Sequence, residues 1–374
     1  VRILCRRPDL LLLDEPSNDI DLETLEWLEE FVNQWEGAVL FISHDETFLE
    51  RTANRIIHME MLKKKREPRH TVCNTGYTEY IEARGCRMVK QEQLARKERS
   101  EYRARQERFR RIQQKVEHQQ NSISRQDPAG GRLLKKKMKA VKSLERRYEK
   151  ESADMTEMPE AEEAIFFRFH GDQGIPQGKT VLDLKQETLS AGGRLLAEHI
   201  ELRVRGPEKV CIIGRNGVGK TTLLKKIAGQ LLAREDIRAA YMPQDYKDRM
   251  DFDSTPVAFL SKTGEKEEMK KIRTFLGSLK YTVEEMEHPI RELSGGQKAK
   301  LFLLGISMDG ANVLVLDEPT RNFSPLSNPV IRQMLQGFAG AVISVSHDRK
   351  YISEVCDTVY ELTGEGCRKI EWHR

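Results

Sequence analysis

VLVLDEP at residues 313–319 is followed by VSHD at 345–348, and the chain carries the same two fragments earlier, as LLLLDEP at 10–16 and ISHD at 42–45. Asp317 precedes His347 by 30 positions, and Asp14 precedes His44 by the same 30. Leu10–Leu13 is a short apolar run closed by Asp-Glu-Pro, the pattern of a buried parallel strand ending at an active-site edge. Leu22–Trp35 has helical periodicity and Ala38–Ile42 reads as a second buried strand. Residues 1–60 are thus expected to run helix, strand, helix, strand, helix.

One element occurs once only. Gly214-Arg215-Asn216-Gly217-Val218-Gly219-Lys220-Thr221 satisfies G-x-x-x-x-G-K-[ST], after the apolar run Lys209–Ile213 and before a helix expected over Thr222–Ala228. Strand before and helix after is the context that gives this motif meaning. Its glycines let backbone N–H groups turn inward around phosphate oxygens at a helix N-terminus, where the helix dipole favours negative charge. Gly214, Asn216, Gly217, Gly219, Lys220, Thr221 and Thr222 are therefore the expected nucleotide-binding residues, with Lys220 on the β- and γ-phosphates. Thr221 and Asp317 would hold Mg²⁺, while Glu318 would orient or deprotonate the attacking water. His347, at the end of another strand, is placed to contact the γ-phosphate. Leu293-Ser294-Gly295-Gly296-Gln297 is a turn opening a helix (Lys298–Met308), whose backbone can approach a further phosphate. The chain reads as a duplicated nucleotide hydrolase whose first copy lacks its front half. In that first copy Asp14 (metal), Glu15 and His44 (catalysis) are the matching candidates.

Composition divides the chain. The net charge is only +4, yet residues 61–150 hold 27 Lys and Arg against 11 Asp and Glu, a local +16 that leaves −12 for the remainder. Such a sustained excess points to a polyanionic partner. Arg84–Gln120 has no Pro and only Gly85 to disfavour one long helix, with Leu94, Tyr102, Phe109, Ile112 and Val116 forming a narrow apolar stripe. Asp127–Gly131 is a strong turn signal, and a second helix is expected over about Leu133–Glu151, with Leu134, Met138, Val141, Leu144 and Tyr148 facing the first. Arg132, Lys135, Lys136, Lys137 and Lys139 sit beside the turn as a basic tip, the candidate contacts to that polyanion. Ala164–Phe169 reads as a strand entering the next domain. The expected fold class is α/β: P-loop NTPase cassettes, one partial (1–60) and one complete (161–374), joined by a basic helical hairpin (61–160).

The six cysteines form no C-x-x-C pair, which argues against a zinc site or disulfide framework and suits a reducing cytosol. No apolar run approaches the length of a membrane span. The chain enters a motif-bearing region directly after Val1, so an earlier N-terminal portion is expected and the lack of a signal peptide says little.

The order GRNGVGKT, Gln244 in YMPQ, LSGGQ, VLVLDEP and SHD resembles the ATP-binding cassette superfamily. Tandem cassettes joined by a basic hairpin resemble its ABC-F branch of ribosome-associated translation factors and antibiotic-resistance proteins. The resemblance implies a cytoplasmic ATPase using ATP and Mg²⁺, with Gln244 at the metal site coupling it to conformation. It also implies two cassettes of one chain closing face to face, each nucleotide held between one phosphate loop and the other cassette's Ser294–Gln297-type turn. Its partner would be the ribosome (ribosomal RNA and transfer RNA), with the hairpin entering the transfer-RNA exit site to modulate translation or protect against antibiotics. Neither composite site is complete in this chain, so weak ATP binding and poor hydrolysis are expected of it alone. After Asp-Glu-Pro the first copy reads Ser17-Asn18-Asp19-Ile20-Asp21, while the second reads Thr320-Arg321-Asn322-Phe323-Ser324, with Ser324 where the family has Asp. No aromatic platform for adenine is evident upstream of Gly214. The alternative is the energising subunit of a membrane transporter, a role that leaves the basic linker unexplained. A DNA-repair ATPase fits poorly, because Lys220 to Ser294 runs 74 positions without a coiled-coil insertion.

Overall fold

The computed structural model describes residues 8–62, 67–122, 136–143, 146–148, 155–159 and 174–372. They fall into two compact units: residues 1–54, 64–69 and 162–374 in the first, residues 55–63 and 70–161 in the second. The expected turn at Asp127–Gly131, the candidates Arg132 and Lys135, the stripe positions Leu134 and Leu144, and the strand Ala164–Phe169 lie outside the described residues.

Within the first unit, β1 (Leu10–Asp14), α1 (Leu22–Gln34), β2 (Ala38–Ile42) and α2 (Glu46–Thr52) follow in order. Asp21 and Asp45 start the two helices by accepting from the Thr24 and Phe48 backbone N–H groups. The second repeat builds a sheet of eight strands. Its members are β5 (Thr180–Ala191), β6 (Arg194–Arg205), β7 (Lys209–Ile213), β8 (Ala239–Met242), β9 (Val313–Asp317), β10 (Ala341–Val345), β11 (Thr358–Thr363) and β12 (Gly366–Ile370). Their spatial order is β5-β6-β12-β11-β7-β10-β9-β8. The five strands from β11 to β8 pair in parallel, so β7, β10, β9 and β8 all end at one edge. Helix α5 (Lys220–Leu232) covers one face through Leu223, Leu224 and Ile227. On the other face lie α6 (Pro256–Leu260), α7 (Lys266–Ser278), α8 (Val283–Glu287), α9 (Gly295–Met308), α10 (Asn328–Gln336) and α11 (Arg349–Val355).

The two repeats superpose in register. A shift of 303 positions carries Asp14 to Asp317, and it carries the β1–β2 pairing (Leu10↔Ala38 to Asp14↔Ile42) onto that of β9–β10 (Val313↔Ala341 to Asp317↔Val345). It also carries α2 onto α11 residue for residue. Their surroundings differ. Every residue of β9 and β10 is buried, whereas Leu10, Leu12, Leu40 and Ile42 are exposed. Their counterparts Val313, Val315, Ile343 and Val345 are the residues that share a core with α5.

β3 (Ile56–Leu62) and β4 (Glu67–Cys73) form a two-stranded sheet, all but residues 67–69 of which belong to the second unit. Residues 1–60 are expected to end on a helix and the linker to be helical; the chain instead forms these two strands. Helix α3 (Tyr77–Ser122) starts seven residues before the expected Arg84, since Tyr77 and Tyr80 are buried and Arg84 pairs with Glu60 at 3.6 Å. Its 46 residues make a rod about 69 Å long. Phe109 and Val116 bury against Val141, with Met138 and Tyr148 alongside, so α3 packs on α4 (residues 136–143) as a hairpin. The buried stripe corrects the expected one. Ala95, Phe109 and Val116 are buried, Tyr102 and Phe109 contact the Tyr148 ring, and these four positions recur every seventh residue. Leu94 and Ile112 fall beside that seam and stay exposed.

The unequal burial of matched residues sets an expectation for stability. Ile343→Ala should cost about 2–5 kcal/mol, while Leu40→Ala at the matching position should stay within about 0.5 kcal/mol. Urea denaturation of the two variants checks this, and equal losses would show that the first repeat is as enclosed as the second.

Candidate functional site

Four adjacent parallel strands deliver the chemistry to one edge. β7 runs into the phosphate loop, β8 is followed by Gln244, β9 ends in Asp317 and Glu318, and β10 is followed by Ser346-His347-Asp348. Ligands in open α/β sheets bind outside these carboxyl ends. A cavity of about 500 Å³ lies there, and Asn216, Lys220, Thr221, Gln244, Glu318 and His347 are among its walls. Gly217, Gly219, Thr222 and Asp317 line it too.

The loop geometry explains its glycines. Gly219, with φ of 107°, is the N-cap of α5, a left-handed position that a side chain would strain. A Cβ on Gly214 would meet the Leu362 carbonyl oxygen at 2.4 Å. Lys220 is buried and its Nζ donates to the carbonyls of Gly214 (2.7 Å) and Arg215 (3.0 Å). Burial lowers its pKa, with Glu318 opposing. This cation sits in a neutral cradle of carbonyls, placed to be compensated by phosphate.

Glu318 is held in an uncommon conformation. Its φ is 51°, and its backbone N–H donates to Val345 O at 2.9 Å, tying the end of β9 to the end of β10. A non-glycine residue held there signals a function-related constraint. Oε2 accepts from the His347 backbone N–H at 3.3 Å, and Oε1 lies 3.7 Å from His347 Nε2. Burial drives the Glu318 pKa up to about 8, with the His347 backbone bond opposing and Asp317 reinforcing. His347 is pushed the other way, to about 4, by burial and then by Lys220. A neutral imidazole thus faces a carboxyl that burial keeps protonated near neutrality, a pair suited to accepting and passing a proton.

A divalent cation fits the donor set. Asp317 is 2% exposed, its Oδ2 has no hydrogen-bond partner, and burial raises its pKa against a hydrogen bond with Thr221. Gln244 lines the same cavity. One carboxylate, one hydroxyl and one amide suit Mg²⁺, which takes its remaining ligands from phosphates and water. Leu196 and Gly219 are the neighbours on the β6 side, so an adenine ring would meet aliphatic rather than aromatic carbon there.

The structure does not bring every candidate to this cavity. His44 lines it, but Asp14 is exposed and neither Asp14 nor Glu15 is in its walls. Glu15 nevertheless repeats the Glu318 geometry: φ of 44°, N–H to Ile42 O at 2.9 Å, and Oε1 at 3.2 Å from His44 Nε2. Ser294, Gly295, Gly296 and Gln297 are also absent from the walls. They form a capping box opening α9, and Gly296 leaves room for the Asn322 carbonyl. Conversely, the walls include Ser17, Asn18, Asp19 and Arg321, none of them among the expected site residues. Asn216 Nδ2 donates to Asp19 O at 2.6 Å, and its N–H to Asp21 Oδ2 at 3.3 Å, while Arg321 pairs with Asp19 at 2.8 Å. The available signal was the SNDID run itself, an acidic loop straight after a catalytic motif. Lys136, Lys137 and Lys139 are exposed on α4, in the second unit.

A pH dependence follows. Because the folded pKa of Glu318 is raised from 4.5 to about 8, folding takes up a proton between those values, and this stabilisation, full below 4.5, is lost as pH rises to about 8. Glu318→Gln removes the loss. Melting of the nucleotide-free protein should show the variant gaining on wild type by several degrees from pH 5 to 8, then levelling. A pH-independent difference would place Glu318 in a solvated setting.

Comparison with known proteins agrees with this geometry. The family described as "ABC transporter" matches residues 197–321. The chain is 30% identical to the probable ATP-binding protein YheS of Escherichia coli (strain K12), over 99% of this chain and 54% of that protein. It is 29% identical to ABC transporter F family member 2 of Arabidopsis thaliana, over 98% of this chain and 51% of that protein. The chain therefore spans about half the length of the curated relatives it matches. In fold it is similar to the archaeal ribosome recycling factor aABCE1, solved with ribosomal stalk protein aP1, at a TM-score of 0.53 and 17% identity, over 96% of this chain and 59% of that one. The phosphate loop and the buried Asp317-Glu318 pair lie within the stretch that the ABC transporter family model matches, and relatives that include an ABC transporter F family member are similar to nearly the whole of this chain.

Proposed function

We propose that the whole protein is an ABC-F ATPase that acts on the ribosome, and that the basic hairpin is its RNA-contacting arm. The carrying observation is the +16 charge of residues 61–150 on a rod of two packed helices, with Lys136, Lys137 and Lys139 exposed on the shorter one. Basic helices engage RNA through phosphate charge and shape. ATP would sit on the phosphate loop, with Asp317, Thr221 and Gln244 holding Mg²⁺, which neutralises developing charge on the phosphates. Glu318 in its ionised form, which gains ground as pH rises toward about 8, would accept a proton from the attacking water, and His347 would face the γ-phosphate. The second nucleotide would lie between Ser294–Gln297 and the Glu15–His44 site. Closure of the two cassettes would set the hairpin at the transfer-RNA exit site, with Arg132 and Lys135 joining the RNA contacts; hydrolysis would release it. Modulation of translation and protection from antibiotics are both served by such an arm.

The test uses the full-length gene product. Glu15→Gln/Glu318→Gln should be trapped on ribosomes in ATP. Adding Lys136→Glu, Lys137→Glu and Lys139→Glu should release it and lower the salt dependence of log K by about 2 to 3. Co-sedimentation unchanged by the three charge reversals would overturn this reading, and co-purification with a membrane protein instead would favour a transporter subunit.

A further inference from the structure

The 303-position shift relates three charged positions in each repeat: 29 to 332, 46 to 349, and 51 to 354. In the first repeat they are Glu29, Glu46 and Arg51; in the second, Arg332, Arg349 and Glu354. The sign is inverted at all three. Arg332 grips Glu46 with two hydrogen bonds, of 2.6 and 3.2 Å, their side chains being 4% and 6% exposed. Reciprocally, Arg349 grips Glu29 with two, one of them 3.2 Å. Within each repeat the third residue completes the set: Arg51 on Glu29 at 2.9 Å, Glu354 on Arg332 at 2.7 Å. Position 29 thus meets 349 while 332 meets 46, the reciprocal pattern of a two-fold interface.

A two-fold contact between identical surfaces would need one acidic and one basic member at these two positions. Here each repeat has the same sign at both. Two second repeats in this geometry would bury Arg332 against Arg349 twice, and two first repeats would bury Glu29 against Glu46 twice. Unpaired buried charges of like sign are strongly disfavoured. Local chemistry argues that the pattern is not incidental. Positions 46 and 349 open helices α2 and α11, where the helix dipole favours an acid. Glu46 obeys that preference and Arg349 opposes it, its guanidinium being held by Glu29 of the other repeat.

We propose that these six residues are a pairing code, by which the Asp45 helix edge of the first repeat accepts the Asp348 edge of the second and rejects a copy of itself. Lys350, bridging Glu46 (3.3 Å) and Glu50 (2.5 Å), adds to the same polarity. The code rests on contacts inside the first unit and does not depend on what the hairpin binds.

Charge inversion by whole sets tests it in the full chain. In a Lys350→Gln background, which keeps residue 350 from repelling an arginine at 46, Glu29→Arg/Glu46→Arg/Arg51→Glu inverts the first repeat and Arg332→Glu/Arg349→Glu/Glu354→Arg the second. Each keeps its within-repeat pair, so the cross-repeat pairs become like-charged. Hydrogen exchange of the α2 amides should accelerate by about a hundredfold or more in either triple variant, and return to near the wild-type rate when all six changes are combined. Failure of the six-fold variant to recover, or no acceleration in the triples, overturns the code. If a triple variant does not fold, the milder Glu46→Gln and Arg332→Gln keep the question open to measurement: their effects on the urea midpoint should be markedly non-additive, and additivity overturns the proposal. Ribosome co-sedimentation reads a different surface, so the two proposals fail separately.

Discussion

The hydrogen bond from the Glu318 N–H to the Val345 carbonyl is the constraint on which the site depends. It closes β9 onto β10 one residue past their last paired position, and so forces Glu318 into a left-handed backbone that aims its carboxylate at His347. Without it, the 30-residue spacing between Asp317 and His347 would carry no geometric meaning. The same bond joins Glu15 to Ile42 in the first repeat. Two copies of one motif therefore make the same turn, because parallel pairing in identical register leaves the chain the same way out.

What differs between the copies is water. β7 and α5 stand beside and above β9–β10, burying Asp317 and raising the pKa values of both Asp317 and Glu318. Asp14, at the end of β1, is exposed. Desolvation is the largest cause of the upward shift of both carboxyls in the second repeat. The phosphate loop thus does two things: it presents donors to phosphate, and the strand and helix on either side of it dry the carboxylates opposite.

Contacts between the repeats follow another rule. Exposed pairs such as Arg215–Glu23, with side chains 78% and 74% exposed, add little to stability. Arg332–Glu46 and Arg349–Glu29 are buried, so their signs decide which surfaces can meet at all. The acidic loop Asp19–Asp21 lies on the same boundary, where it touches Asn216 of the phosphate loop.

Residue order alone determined the repeat, the phosphate loop, the Asp-Glu and Ser-His-Asp pairs and the basic hairpin, because each is a local pattern of backbone freedom, charge or periodicity. It went astray where outcome depended on neighbours. The start of α3 at Tyr77 is set by burial of Tyr77 and Tyr80, and the seam through Ala95, Tyr102, Phe109 and Val116 was selected by the helix it meets. Strands β3 and β4 are close neighbours in the chain, and the charged run 63–67 with Pro68 hides the alternation that would mark them. Only the tertiary structure decided that Asp19 and Asp21 reach Asn216, that Asp14 stays in solvent while Asp317 does not, and that Glu29 and Glu46 find arginines about 300 positions away. Those outcomes rest on desolvation and on contacts between distant segments, which no run of neighbouring residues encodes.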